Sequence, residues 1–296
     1  MKKKPRIIIS ATAVVLCAAA FAVFYFAPVN LSNDELENAL WRDALARAAL
    51  TGAIAGVAAL CNYNIFFVRG TRMRGADYLW CLPCLAVALT NFPYSALISG
   101  TAVIERADLL PAFISKCLFI ATSEELLFRG VLLRLLDEVF SESCHKFLKC
   151  TIISSAVFAL FHLLNLLDGA AAGATLLQVG YTFLTGLMFA CVTIRTHNIF
   201  TAIILHFIFD IGGFIVSDLG TGPFQDVCFW ILTAVAAAVC AVIIGVAACM
   251  VVRRKKHNTA RSQDNGQNDS GDNSHSREQE PNRDIDQNQS ENQNKG

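Results

Sequence analysis

Runs of about 20 mainly apolar residues recur along this 296-residue chain, and a run of that length suffices to cross the hydrocarbon core of a bilayer. They fall at 7–28, 45–68, 78–99, 110–137, 147–167, 172–194, 198–217 and 227–252, which predicts an all-α polytopic membrane protein of about eight transmembrane helices. Composition agrees: 54% of the residues are hydrophobic and only 16% charged, against a soluble norm of roughly 45–50% apolar. The first run follows Lys2, Lys3, Lys4 and Arg6 and so resembles a signal peptide. It is longer than a usual signal core of about 7–15 residues and lacks a small-x-small cleavage site, so it reads as an uncleaved first helix.

The loops supply a separate test of the count, because Lys and Arg favour the cytoplasmic side of short loops. Lys2, Lys3, Lys4 and Arg6 set the N-terminus inside, and the acidic Asp34, Glu35 and Glu37 follow outside. Arg69, Arg72 and Arg74 return inside; Glu105, Arg106 and Asp108 are mixed. Lys146 and Lys149 point inward, Asp168 stands in an outer turn, Arg195 and His197 lie inside, and Asp218 and Asp226 outside. Arg253, Arg254, Lys255 and Lys256 then bring the C-terminus back to the cytoplasm. The alternation predicts an integral, multi-pass protein with both termini cytoplasmic, its partner the lipid bilayer. The formal net charge of zero hides this asymmetry.

Eleven cysteines is an odd number, and most lie within apolar runs, where a free thiol behaves as a small hydrophobe. Cys81 and Cys84 form a Cys-x-x-Cys, but a redox or zinc role would want a βαβ context or a second pair, and the sequence has neither. From His257 to Gly296 the chain is almost wholly polar and cannot bury enough apolar surface to offset its ordering entropy, which predicts a disordered tail. No internal repeat, glycine-rich phosphate loop or nucleic-acid signature is found, so neither a cofactor nor a nucleic-acid partner is expected.

The residues a membrane helix should avoid carry the most information. The fourth run contains Ser123-Glu124-Glu125-Leu126-Leu127-Phe128-Arg129. At about 2.5–3.5 kcal/mol for each central charge, three unpaired ones would cost roughly 8 kcal/mol. Glu125 and Arg129 are four apart, on one face and in the favourable order for an ion pair, so they can offset each other structurally. Glu124 points elsewhere and has no partner in its own helix. A carboxylate in a poorly solvated site is the kind of group a general base near neutral pH requires.

The fifth run carries His162 within Phe158-Ala159-Leu160-Phe161-His162, and a lone histidine there is more often a packing residue than a catalyst. The seventh carries His206 and Asp210 one turn apart, a spacing at which the two can simply bond to each other. Together they are more telling. Three helices each bring an ionisable group into the hydrocarbon, where such groups nearly always face a bundle interior or an aqueous cavity. Glu124, His162 and His206 can therefore converge, and a carboxylate with two imidazoles is equipment for hydrolysing an amide. There is no His-Glu-x-x-His zinc signature and no Gly-x-Ser-x-Gly elbow.

Glu124-Glu125-x-x-x-Arg129, Phe158-x-x-x-His162 and His206-x-x-x-Asp210, in that order on three membrane helices, resemble the CAAX protease and bacteriocin-processing family, also called the type II CAAX prenyl endopeptidase or Abi family. The stretch from Gly186 to Asp210 looks like that family's linker between its last two motifs. The resemblance divides the chain into N-terminal transmembrane helices (1–107), a catalytic core (108–217), a C-terminal transmembrane helix (218–256) and the polar tail (257–296). It implies an intramembrane endopeptidase of a bacterial-type plasma membrane, acting on a membrane-embedded or lipid-modified peptide or protein. It further implies that Glu124, helped by His162, activates water and that His206, with position 210, stabilises the oxyanion. Glu125 and Arg129 would hold the motif helix. Many members have Asn where this chain has Asp210; an ionised Asp cannot donate to an oxyanion and would instead orient His206. Relatives trim prenylated Cys-a-a-X proteins, or serve bacteriocin immunity, pheromone maturation or the cleavage of membrane regulators, and these residues do not choose among substrates.

Three other readings stay open on the sequence. The same His, Glu and Asp side chains are legitimate zinc ligands, which metal analysis would reveal. A non-enzymatic immunity or scaffold protein could retain the polar core for packing. A proton-coupled transporter would use the same groups but usually shows inverted repeats, and none is found.

Overall fold

The computed structural model describes residues 30–60, 75–143, 145–167 and 169–272, with side chains as far as residue 250. Asp34 opens the first described helix, α1 (Glu35–Leu60), by accepting the Glu37 backbone N–H at 2.9 Å, the bond an N-terminal cap makes. A 3₁₀ turn, Gly75–Trp80, leads into α2 (Cys81–Thr90), and α3 (Tyr94–Ser99) follows a break at Asn91–Pro93. The strand β1 (Val103–Ile104) and a 3₁₀ turn, Ala107–Leu109, precede α4 (Leu110–Glu125). From α4 the chain runs on through a π-helical segment, Leu126–Leu132, into α5 (Leu133–Val139). Then come α6 (Lys146–Phe161) with its 3₁₀ extension His162–Leu166, α7 (Ala172–Thr196), α8 (Ile199–Leu219), β2 (Gly220–Thr221) and α9 (Val227–Asp272).

Four of these helical stretches are long and apolar enough to span a membrane: Lys146–Leu166, Ala172–Thr196, Ile199–Leu219 and Val227–Met250. They correspond to the last four of the apolar runs. The run at 7–28 lies outside the described residues, as does the last third of the run at 45–68. The run at 78–99 is not one helix. Pro93 has no N–H to donate and disfavours helix for the residue before it, so the chain turns at Asn91–Pro93. That turn is received by α8: a Cβ on Gly212 would meet Asn91 and Phe92 backbone at 2.9 Å, so only glycine permits this approach. Asn91 secures it by donating from Nδ2 to the Phe209 carbonyl at 2.8 Å.

Two further differences from the sequence reading are small. The fold is not purely helical, since β1 and β2 pair antiparallel, Val103 opposite Thr221 and Ile104 opposite Gly220. The predicted disordered tail begins too early, because α9 continues to Asp272. Extending an existing helix adds residues without a new nucleation cost, which lets it run into polar sequence; residues 273–296 lie outside the described residues.

The chain divides into two compact units, Met1–Ala248 and Cys249–Gly296. Within the first, α4 packs between α1 and α8, and α7 packs against α6 and α8. One buried cluster joins Phe113, Cys117 and Leu219 with Leu40; a second joins Ile54, Leu126, Val131, Ile199 and Ile203. Both fasten α4 and its π extension to its two neighbours. The tight link from α7 to α8 is made by His197 at φ 52°, in the left-handed region, followed by Asn198, whose side chain accepts the Phe200 N–H at 2.9 Å. Histidine and asparagine are among the residues that tolerate such positions best.

Candidate active site

Glu124 and Glu125 close α4 where its hydrogen bonding changes to the π pattern; Leu133 N–H reaches the Phe128 carbonyl, five residues back. The Phe128 carbonyl also accepts the Ser154 hydroxyl of α6 at 3.1 Å. π-Helical turns are rare and concentrate at functional sites. This one lies between the glutamate pair and α5, with Arg129 inside it.

The two glutamates have different surroundings. Glu125 is fully buried, and its Oε1 accepts from Arg129 Nη1 at 2.7 Å, the intrahelical pair that the four-residue spacing predicts. The same oxygen lies 2.9 Å from Nδ1 of His206. Glu125 is therefore more than a counter-ion for Arg129, since it also seats the histidine of α8. Arg129 is fixed on its other side, donating from Nη2 to the Gly186 carbonyl at 3.1 Å and lying 4.4 Å from the centroid of the Phe158 ring. A Cβ at Gly186 would come within 3.1 Å of Phe158 and 3.3 Å of Arg129, so glycine on α7 lets guanidinium and ring stack there.

Glu124 has its partner in another helix. Its Oε1 accepts from Nη1 of Arg47 in α1 at 3.2 Å, and Arg47 Nε in turn bonds Asp43 at 3.1 Å. Its other oxygen faces Nε2 of His206 at 3.8 Å, and the same nitrogen lies 3.5 Å from Asp210 Oδ1. His206 thus binds Glu125 through one nitrogen and presents the other to two carboxylates. The imidazole is clamped between rings, stacked on Phe189 at 5.3 Å and edge-on to Phe158 at 5.9 Å. Glu125 Oε2 and Asp210 Oδ2 are buried without a hydrogen-bond partner among the described residues.

His162 stands at the start of the 3₁₀ extension of α6, edge-on to Phe158 with ring centroids 5.1 Å apart. Its Nδ1 lies 3.1 Å from the Phe158 carbonyl. A carbonyl only accepts, so Nδ1 carries the proton and the lone pair of the neutral ring is on Nε2. Glu124, His162, His206 and Asp210 line one cavity of about 450 Å³. Glu125 and Arg129 are buried and do not line it; they reach it through His206, which Glu125 holds. Among the described residues no group of three or more His, Cys, Asp or Glu side chains is arranged to hold a metal ion.

Two parts of the site were missed in the sequence. Arg47, with Asp43 one turn before it, lies in the charged first half of α1 at the edge of the apolar run, where an interfacial charge is ordinary and nothing singles it out. Phe158 stands in a motif but has no assigned role; in the fold it touches Arg129, His162 and His206 at once.

No curated protein and no solved structure matches the chain. One family does: residues 106–212 match the family model described as type II CAAX prenyl endopeptidase Rce1-like. The matched stretch runs from the turn before α4 into α8 and contains both glutamates, Arg129, both histidines and Asp210. The match falls on the same motifs that carry the resemblance read from the sequence, and over residues 106–212, about a third of the chain, the protein is similar to the type II CAAX prenyl endopeptidase Rce1-like family.

Proposed function

We propose that the chain is an intramembrane endopeptidase that hydrolyses a peptide bond of a membrane-embedded or lipid-modified peptide or protein. The observation that carries the reading is the convergence of Glu124, His162, His206 and Asp210, from three helices, on one cavity flanked by membrane-length apolar helices. Glu124 and the lone pair on His162 Nε2 are the bases that would activate water. His206 would act with both nitrogens protonated, Nδ1 donating to Glu125 and Nε2 to the oxyanion of the tetrahedral intermediate. Asp210 would orient His206, and the Glu125–Arg129 pair would hold its seat. The full chain would cross the bilayer about eight times with both termini cytoplasmic, as its loop charges favour.

The test is a trapping experiment with Glu124→Gln in the full chain. If the reading holds, cells expressing this variant accumulate an uncleaved membrane protein or peptide that co-purifies with it and is shortened in cells expressing the wild type. Equal processing by both would overturn the assignment of Glu124.

A further inference from the structure

The helices that line the cavity do so from one end of the bundle inward, α4 as far as Glu124, where it passes into the π-helical segment. Asp43 and Arg47 come from the first half of α1, Asn91 from the end of α2, and Lys116 from the first half of α4. Asn165 ends the 3₁₀ extension of α6, Gln178 lies near the start of α7, and Thr233 near the start of α9. The lining then continues out of the helices to Phe224 and Gln225, in the loop between β2 and α9. His206 and Phe189, near the middles of α8 and α7, form the deepest part. The opening is polar: Lys116 pairs with Asp218 at 2.7 Å, and Arg47 with Asp43 at 3.1 Å. Ion pairs of this kind are at home beside water or headgroups, whereas facing lipid tails they would be costly.

The connections at this end of the bundle, 30–34, 100–109, 167–171 and 220–226, contain one cation, Arg106, among Asp34, Glu105, Asp108, Asp168 and Asp226. The opposite end carries Lys146, Lys149 and Arg195, and the sequence adds Arg69, Arg72 and Arg74 in the connection after α1. The rule that places Lys and Arg of short loops in the cytoplasm then puts the cavity's mouth on the other side. We infer that the cavity opens to the non-cytoplasmic face of the membrane, so that the peptidase takes peptide segments presented from that side, exported or anchored in the outer leaflet. The word peptidase rests on the function proposed above; the side of the opening does not.

Thiol labelling in intact cells tests it without reference to catalysis. Cys228, exposed in the first turn of α9, is a native marker beside the mouth. Thr233→Cys places a thiol inside the cavity, and Glu142→Cys, in the exposed connection between α5 and α6, marks the opposite end. Each full-length chain is treated with a small charged, membrane-impermeant thiol reagent, and the labelled residue is located by mass spectrometry. Cys228 and Thr233→Cys should label in intact cells, and Glu142→Cys only after permeabilisation. Cys228 is read on the unmodified wild type, so a failure of either variant to fold leaves the test standing. Labelling of Cys228 only after permeabilisation would overturn the inference, as would a Thr233→Cys that labels only then. If the labelling holds but Glu124→Gln still processes substrate, the peptidase reading fails and the sidedness survives.

Discussion

At the scale of single residues, adjacent glutamates hold different positions because neighbouring helices address them separately. Glu125 is locked between Arg129 and His206, with no exposed surface. Removing one partner of such a pair leaves an uncompensated buried charge, at a cost of about 3–5 kcal/mol. Glu125→Gln and Arg129→Leu should therefore lower both the yield and the thermal midpoint of the purified protein, along with activity. Glu124→Gln should abolish hydrolysis and lower the midpoint less than either of these, because its partner Arg47 keeps Asp43. A second prediction concerns the histidines: His206→Ala should slow turnover by about 10²–10³-fold, the worth of one oxyanion donor. Asp210→Asn should retain most activity, because an amide can donate where the carboxylate could only orient. An Asp210→Asn variant as dead as Glu124→Gln would make Asp210 an acid or a ligand in its own right.

These residues were legible in the sequence because each is expensive where it stands. A glutamate or histidine within an apolar run must be compensated, and the run itself fixes its depth. Arg47 carries no such mark, because it stands at the edge of its run among Arg42 and Asp43, where a charge costs little. The partnership of Glu124 with Arg47 joins two packed helices, α4 and α1, across 77 residues of sequence, and no spacing rule on one helix predicts it. The bond from His206 to Glu125 is likewise a product of packing.

At the scale of elements, glycines set how closely α7 and α8 approach their neighbours. Gly186→Val would force its side chain into Phe158 and Arg129, an overpacking that typically costs about 1–3 kcal/mol. It should lower the thermal midpoint and activity together, whereas Gly245→Val, with open space around it, should change neither. Pro93 marks a break in the 78–99 run that the run-length rule passes over, so the expectation of one span there fails, and the π-helical turn at Leu126–Leu132 leaves no mark in the sequence. That turn is a choice of hydrogen-bond register within a leucine-rich stretch, and the same side chains suit an α-helix equally.

The caps of α1 and α9 carry a pH dependence. The Glu37 N–H and then Arg106 hold Asp34 below the usual carboxylate range; the Ser95 hydroxyl and the Phe229 N–H do the same for Asp226. A carboxylate depressed in the folded state adds stability that is present above its unfolded value of about 3.9 and lost as pH falls through the folded one. Acidification below about pH 4 should thus lower the thermal midpoint, and Asp226→Asn should flatten that acid limb. An unchanged limb in Asp226→Asn would remove this cap from the account.

At the scale of the molecule, the sequence conveyed the membrane-embedded helical class through the length of its apolar runs. Four described helices meet that length. A reporter fused after Lys256 should report cytoplasm and one within residues 29–44 the exterior; the same compartment for both would refute eight crossings. The central claim is hydrolysis by the Glu124–His162–His206 constellation, and the most direct measurement is peptide cleavage by purified protein in proteoliposomes, read by mass spectrometry. The full chain, offered a candidate substrate captured by Glu124→Gln, should release two fragments that sum to the substrate plus water, with and without a chelator. Glu124→Gln should release none. Equal cleavage by the variant, or cleavage abolished by the chelator and restored by zinc, would contradict the account.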